Sequence, residues 1–154
     1  MSESWAFPEE TDLETLFGQI QVKDRIPTGI LEILDNCSQH QKFAIGCSGG
    51  ADSTFLTFLL FNKFPFLHDR FVLCHFNHGL RGKDSELDEK FVQEIANHLE
   101  IPIKIDRQDS RDKADETFLR NQRLGFFKRI ATNDRISHIF LGHHADDVAE
   151  TLLW

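Results

Sequence analysis

Phe43-Ala44-Ile45-Gly46-Cys47-Ser48-Gly49-Gly50-Ala51-Asp52-Ser53 is the stretch on which the reading of this chain turns. Its apolar start has the length of a strand and ends in a glycine pair, after which Asp52 or Ser53 can cap a helix carrying Phe55, Leu56, Leu59 and Leu60 up to Pro65. A second strand follows at Phe71-Val72-Leu73-Cys74. A strand apolar on both faces that leads through a glycine turn into a helix, and then into another such strand, predicts a parallel sheet covered on both sides.

The same alternation extends in both directions. Upstream, Ile30, Leu31 and Leu34 mark a short helix, and residues 1–26 form an acidic extension with no clean periodicity beyond a short helix around Leu13, Leu16 and Phe17. Downstream, Ser85 and Asp88 form a capping-box pattern, and Leu87, Phe91, Ile95 and Leu99 mark one face of a helix that Pro102 ends. A strand at Ile103–Ile105, a long helix from about Asp115 to Thr132, a strand at His138–Leu141 and a helix opening near Asp146-Asp147 complete the order β-α-β-α-β-α-β-α. The expected fold is an α/β, Rossmann-like three-layer sandwich with a parallel sheet, binding its ligand beyond the carboxyl ends of the strands. Residues 27–154 form this one domain, and it reads as C-terminally incomplete, because Leu152-Leu153-Trp154 falls within the first turns of the last helix. The apolar surface left uncovered predicts self-association, with a homodimer as its simplest form.

Composition narrows the function classes. With 154 residues and 40% hydrophobic content, the chain supports one ordinary core. Three cysteines, Cys37, Cys47 and Cys74, without a C-x-x-C spacing, argue against a disulfide framework or a zinc knuckle and for a reducing, cytoplasmic setting. The longest apolar run, Phe55 to Phe61, is too short to span a bilayer, and the N-terminus lacks the basic start of a signal peptide. A net charge of −8 disfavours a domain that holds nucleic acid unaided. From Lys104 to Arg135, however, nine bases meet six acids, a local +3 where any RNA contact should centre.

Chemistry is expected at Ser48, Gly49, Gly50, Ala51, Asp52 and Ser53. Two glycines let backbone N–H groups approach an anion without an intervening Cβ, the serines can add hydroxyls, and a helix N-terminus presents partial positive charge. The site suits a pyrophosphate. Neither G-x-x-x-x-G-K-S/T nor G-x-G-x-x-G is present, which excludes a P-loop kinase and a dinucleotide fold. Two glycines alone would mark only a tight turn, but S-G-G-x-D-S after an apolar strand resembles the signature of the N-type ATP pyrophosphatases, whose fold is adenine nucleotide alpha hydrolase-like. That resemblance implies ATP cleavage between the α and β phosphates and a need for Mg²⁺, with Asp52 the nearest residue to hold the metal.

Within that superfamily three further segments resemble the tRNA(Ile)-lysidine synthetases. His75-Phe76-Asn77-His78-Gly79-Leu80-Arg81 is similar to their H-x-(D/N)-H-G-L-R segment. Glu116, Arg120 and Arg123 match their E-x-x-x-R-x-x-R-Y helix, although Leu124 stands where tyrosine is usual. Gly142 to Leu153 resembles G-H-H-x-D-D-Q-A-E-T-x-L, with Val148 in place of glutamine. The resemblance implies adenylation of the wobble cytidine of an isoleucine tRNA, followed by attack of free lysine. It places His75 and Asn77 with the ATP site, and His78, Arg81, Glu116, Arg120, Arg123, His143 and His144 with the substrates. Asp147, then Asp146 and Asp52, would serve catalysis, and Glu150 would join Asp52 at the metal. Each segment has a plainer reading: a histidine-rich surface loop, an i, i+4 salt bridge at Glu116–Arg120, a charged helix start at Asp147 and Glu150. The rival functions are tRNA thiolation within the same superfamily, a metal-dependent phosphoesterase using the histidines and aspartates, and a nucleotide-binding module without chemistry.

Overall fold

The computed structural model describes residues 6–7, 9–20, 26–80, 82–108, 115–142 and 150–153. Among them five strands form one sheet: β1 (Lys42–Gly46), β2 (Phe71–Asn77), β3 (Ile103–Arg107), β4 (Ile136–Leu141) and β5 (Glu150–Leu153), in the order β3-β2-β1-β4-β5. The first four are mutually parallel, and β5 runs antiparallel to β4. Phe43, Ala44 and Ile45 have no exposed surface because β1 is the central strand and both of its faces are covered.

Among the described residues five α-helices flank the sheet: α1 (Glu10–Gly18), α2 (Thr28–Asp35), α3 (Ala51–Lys63), α4 (Lys83–His98) and α5 (Glu116–Asn133). Strand alternation sorts the core into two. Phe43, Ile45, Phe71, Leu73 and Phe140 pack with Leu34, Leu56, Leu59, Leu60, Val92 and Ile95 from α2, α3 and α4. On the other side Ala44, Val72, Cys74, Ile139 and Leu141 meet Phe126, Phe127, Ile130 and Ala131 of α5. Each fully buried Phe or Leu contributes roughly 1.5–3 kcal/mol, so these two clusters hold the three layers together. The α1 helix adds Leu13 and Phe17 to the larger core, with Phe17 against Phe55 of α3 at a ring distance of 5.7 Å. Leu16, on its other face, is 59% exposed. Among the described residues no helix is long and apolar enough to cross a membrane.

Three local expectations need correction. Neither Asp52 nor Ser53 caps α3: the helix begins at Ala51, and Gly50 is its N-cap. In α4 the N-cap is Gly82, so Ser85 lies inside the helix, and the buried face is Ser85, Glu89, Val92, Ile95 and Ala96. Leu87, expected on that face, is 42% exposed, because a charged residue, Glu89, occupies the inward position. Finally, Glu150–Leu153 is a strand and not part of a helix. The backbone edge of β4 would otherwise carry unpaired N–H and C=O groups, and β5 pairs with it from His138↔Leu153 to Leu141↔Glu150.

Candidate active site

The chain from β1 to α3 is braced by its own serines. The Ser48 N–H donates to Ser53 Oγ at 3.1 Å, and the Ser53 hydroxyl donates to the Gly50 carbonyl at 3.1 Å. Ser48 Oγ lies 3.1 Å from Ser53 Oγ and accepts the Gly50 N–H at 3.3 Å. Ser53 is buried and Ser48 is exposed. Gly49 has φ +90°, and a Cβ there would lie 3.2 Å from Asp88 Cβ of α4, so both conformation and space require glycine. Gly50 is different: its φ is −75° and an added Cβ would meet only Ser48 Oγ, at 3.4 Å. A helix start leaves its first N–H groups without intrahelical partners, and Gly50 supplies no capping side chain. Such an end, opening where β1 stops, has the polarity that suits an anion.

This loop forms one wall of a cavity of about 610 Å³, ample for a nucleotide. Its lining also includes Gly46, Cys74, Phe76, His78, Arg123, Phe127, Leu141 and Gly142. The position follows from topology. The chain leaves β1 through α3 on one face and reaches β4 through α5 on the other, so the crevice opens where these connections diverge. Close approach keeps it narrow: a Cβ on Gly142 would lie 3.0 Å from the Asp52 carbonyl oxygen, and one on Gly46 would run into Leu141 Cδ2.

Alternation along β2 divides the H-x-N-H segment. Cys74, Phe76 and His78 line the cavity, while His75 and Asn77 are buried and absent from its lining. His75 Nδ1–H donates to the Cys47 carbonyl at 2.8 Å, fixing the strand–loop junction, and its Nε2 is buried without a hydrogen-bond partner among the described residues. Asn77 Nδ2 donates to Ser85 O and to Glu89 Oε2. On the cavity side, His78 Nδ1 and Arg123 Nε are likewise buried and unpartnered among the described residues; the Arg123 Nε–H can only donate, while His78 Nδ1 donates or accepts according to its tautomer. Burial, then the charge of Arg123, holds the His78 imidazole below its ordinary pKa. The ring meets Phe76 edge-on at 4.8 Å.

Asp52 is exposed in the first turn of α3 and lines the cavity. One such carboxylate beside bound phosphates fits Mg²⁺, which commonly takes one or two carboxylates and completes its shell with phosphate and water. Among the described residues no group of three or more His, Cys, Asp or Glu could hold a metal by itself. Glu150 is placed only by its backbone, opposite Leu141. Arg81, His143, His144, Asp146 and Asp147 lie outside the described residues. Glu116 and Arg120 are exposed in the first turns of α5, away from the cavity lining, and no ion pair joins them among the described residues. The basic stretch is partly neutralised: Lys104 pairs with Asp134 at 3.1 Å, Arg107 with Glu89, and Arg129 with Asp106. Sequence reasoning missed the apolar wall of Cys74, Phe76, Phe127 and Leu141. The period-2 pattern of β2 carried part of that signal.

Comparison with known proteins agrees with this geometry. A PP-loop domain model matches residues 22–154. The chain is 35% identical over 130 residues to a tRNA(Ile)-lysidine synthase of Rhodopirellula baltica, covering 71% of this chain and 33% of the relative. It is also 35% identical over 115 residues to a tRNA(Ile)-lysidine synthase of Streptococcus thermophilus, covering 75% and 27%. It thus spans about a third of the length of the curated relatives it matches. Among solved structures, the U34-tRNA thiolase NcsA from Methanococcus maripaludis with its [4Fe-4S] cluster superposes with a TM-score of 0.60 at 18% identity, over 90% of this chain and 48% of that one, a likeness of fold. With a glycine-containing loop at the switch point of a parallel sheet, and a domain match running from residue 22 to 154, this chain belongs to the PP-loop domain family.

Proposed function

We propose that this chain is the ATP-binding catalytic domain of a cytoplasmic tRNA(Ile)-lysidine synthetase, acting on an isoleucine tRNA and free lysine. The observation that carries the reading is the self-braced Ser48–Ser53 loop, opening with an uncapped helix N-terminus onto a 610 Å³ cavity. Its likeness to lysidine synthases supplies the substrates. In this reading the β and γ phosphates lie against the loop, and the purine lies along Cys74, Phe76, Phe127 and Leu141. The wobble cytidine O2 attacks the α phosphorus, and pyrophosphate leaves with the electrons of the broken P–O bond. The lysine ε-amine then attacks C2, the C2–O bond breaks, and AMP departs.

Lysine with a pKa near 10.4 is only about 0.04% free amine at pH 7, so a base or a desolvating pocket must act in the second step. Asp147, with Asp146 next, is assigned to the lysine amine. His78 and Arg123 offer donors to charge developing on the substrate. Mg²⁺, when bound, would neutralise phosphate charge, held by Asp52 with Glu150 as its partner. Sulfur transfer is the poorer reading. Cys47 follows the end of β1 and Cys74 lies in the middle of the neighbouring β2, but they pack in the cores of opposite sheet faces, and burial pushes the Cys74 thiol up to about 12.

The test measures pyrophosphate release with ATP, lysine and isoleucine tRNA, each omitted in turn, in a protein extended to the length of its relatives. Release that requires tRNA, with lysidine formed only when lysine is present, is the expected result. Release indifferent to tRNA sinks the proposal. Asp147→Asn in the same protein should lose lysidine formation far more than ATP affinity.

A further inference from the structure

The turn that follows β2 is held from outside the cavity. Asn77 Oδ1 accepts the Gly79 N–H at 2.9 Å, and the Asn77 carbonyl accepts the Gln108 N–H at 2.9 Å. Asn77 Nδ2 is in turn held by Glu89 Oε2 at 2.8 Å and by the Ser85 carbonyl at 3.1 Å. Glu89, on α4, is only 8% exposed, yet both of its oxygens are engaged: Arg107 Nε donates to Oε2 at 2.9 Å and Nη2 donates to Oε1. The Arg107 fork, opposed by burial and helped by the Asn77 amide, sets the Glu89 carboxyl below its ordinary range, so the acid stays charged at neutral pH. One carboxylate therefore joins the ends of β2 and β3 to the first turns of α4. The residue before it, Asp88, packs against Gly49 of the phosphate loop.

A buried ionic hub is a poor way to gain stability, since an apolar residue at the same place commonly does as well. Its distinctive effect is directional: each oxygen accepts from a fixed donor, and the chain of bonds ends on the turn that carries His78. We propose that Glu89, with Arg107 and Asn77, is a positioning device that sets the 77–79 turn, and thereby His78, against the cavity. None of the three is among the residues that line the cavity. The inference rests on the cavity being the ATP site for its effect on affinity, but its effect on the turn is independent of that reading.

The experiment compares Glu89→Gln, Arg107→Met and Arg107→Lys with the parent chain, and with Asp106→Asn, which breaks the neighbouring Arg129 pair on β3. A glutamine must turn an N–H group toward either Arg107 or Asn77. Arg107 is largely exposed, so replacing it opens no cavity, and Arg107→Lys keeps a cation beside Glu89. Without nucleotide, the Gly79 amide should exchange roughly tenfold faster or more in Glu89→Gln and Arg107→Met, beyond any change in global stability. ATP affinity by calorimetry should fall roughly tenfold. Arg107→Lys should recover part of both, and Asp106→Asn should change neither. Gly79 exchange at the parent rate in a folded Arg107→Met protein overturns the proposal. A parent that binds no ATP removes the functional reading instead, while the exchange data still decide the clamp.

Discussion

The two walls of the cavity are built on opposite principles. On the wall from Cys47 to Ser53 the polar side chains bond to one another and to the loop, so the loop is held before any ligand arrives. On the wall formed by β2 and α5, His78 Nδ1 and Arg123 Nε are buried with no protein partner among the described residues. A satisfied wall gives shape, and an unsatisfied one gives a demand that a ligand can meet. Substitutions on the first wall should therefore act through geometry, and those on the second through binding.

The largest effect should separate two adjacent glycines. Gly49→Val forces a side chain into φ +90° and against α4, so it should cost about 3 kcal/mol or more and be seen as a collapsed thermal midpoint. Gly50→Val meets nothing but Ser48 Oγ and should keep the midpoint, while its methyl groups occupy the mouth and weaken ATP binding roughly 100-fold or more, about 2.7 kcal/mol by calorimetry. Equal melting of the two variants breaks the contrast.

Next in size is Gly142→Ala, which presses a methyl to 3.0 Å from the Asp52 carbonyl oxygen and should destabilise by about 1–3 kcal/mol while displacing the first turn of α3. Without Mg²⁺ its ATP affinity should fall well below that of Asp52→Asn. The gap should narrow once Mg²⁺ is added, because the Asp52→Asn variant loses only the metal-dependent part of binding. Arg123→Met tests the second wall. Removing a buried, unpartnered Nε should leave the melting temperature within about 2 °C and reduce ATP affinity about tenfold, about 1.4 kcal/mol. A large loss of stability with ATP affinity intact would make Arg123 a structural residue.

The smallest effect concerns protons. His78 and His138 are both held below the ordinary histidine pKa of 6.5, chiefly by burial. Between their folded values and 6.5 the unfolded chain binds more protons, so stability is present above pH 6.5 and is lost as pH falls through that window. Urea midpoints taken from about pH 7.5 to about pH 5 should decline, and His138→Phe should flatten the slope. An unchanged slope would assign the decline to other groups.

How far the chain could be read without coordinates depended on the range of the forces involved. The β1–loop–α3 unit was legible because Phe43, Ala44 and Ile45 carry burial on both faces in their own side chains, and Gly49-Gly50 carries the turn. The helix at 116–133 was equally legible, with Asp115 capping it by accepting the Phe118 N–H at 2.7 Å. The inward face of α4 was not. Periodicity counts Leu87 and discounts Glu89, yet Glu89 goes inside because Arg107, eighteen residues away, meets it there. Period 2 in β2 was plain, but which parity faces the cavity is decided by the switch between α3 and α5, and His75 and Asn77 fall on the parity that does not line it. The strand at 150–153 depends on β4's open edge, which no local propensity records.

The serine bonds of the Ser48–Ser53 loop also bear on time. A loop already held in its receiving shape gives up little conformational freedom when an anion docks, so arrival is governed by encounter and not by folding of the loop around its guest. Nucleotides differing in their β and γ phosphates should then share similar association rates and differ in how long they stay, with residence set at the wall of His78 and Arg123.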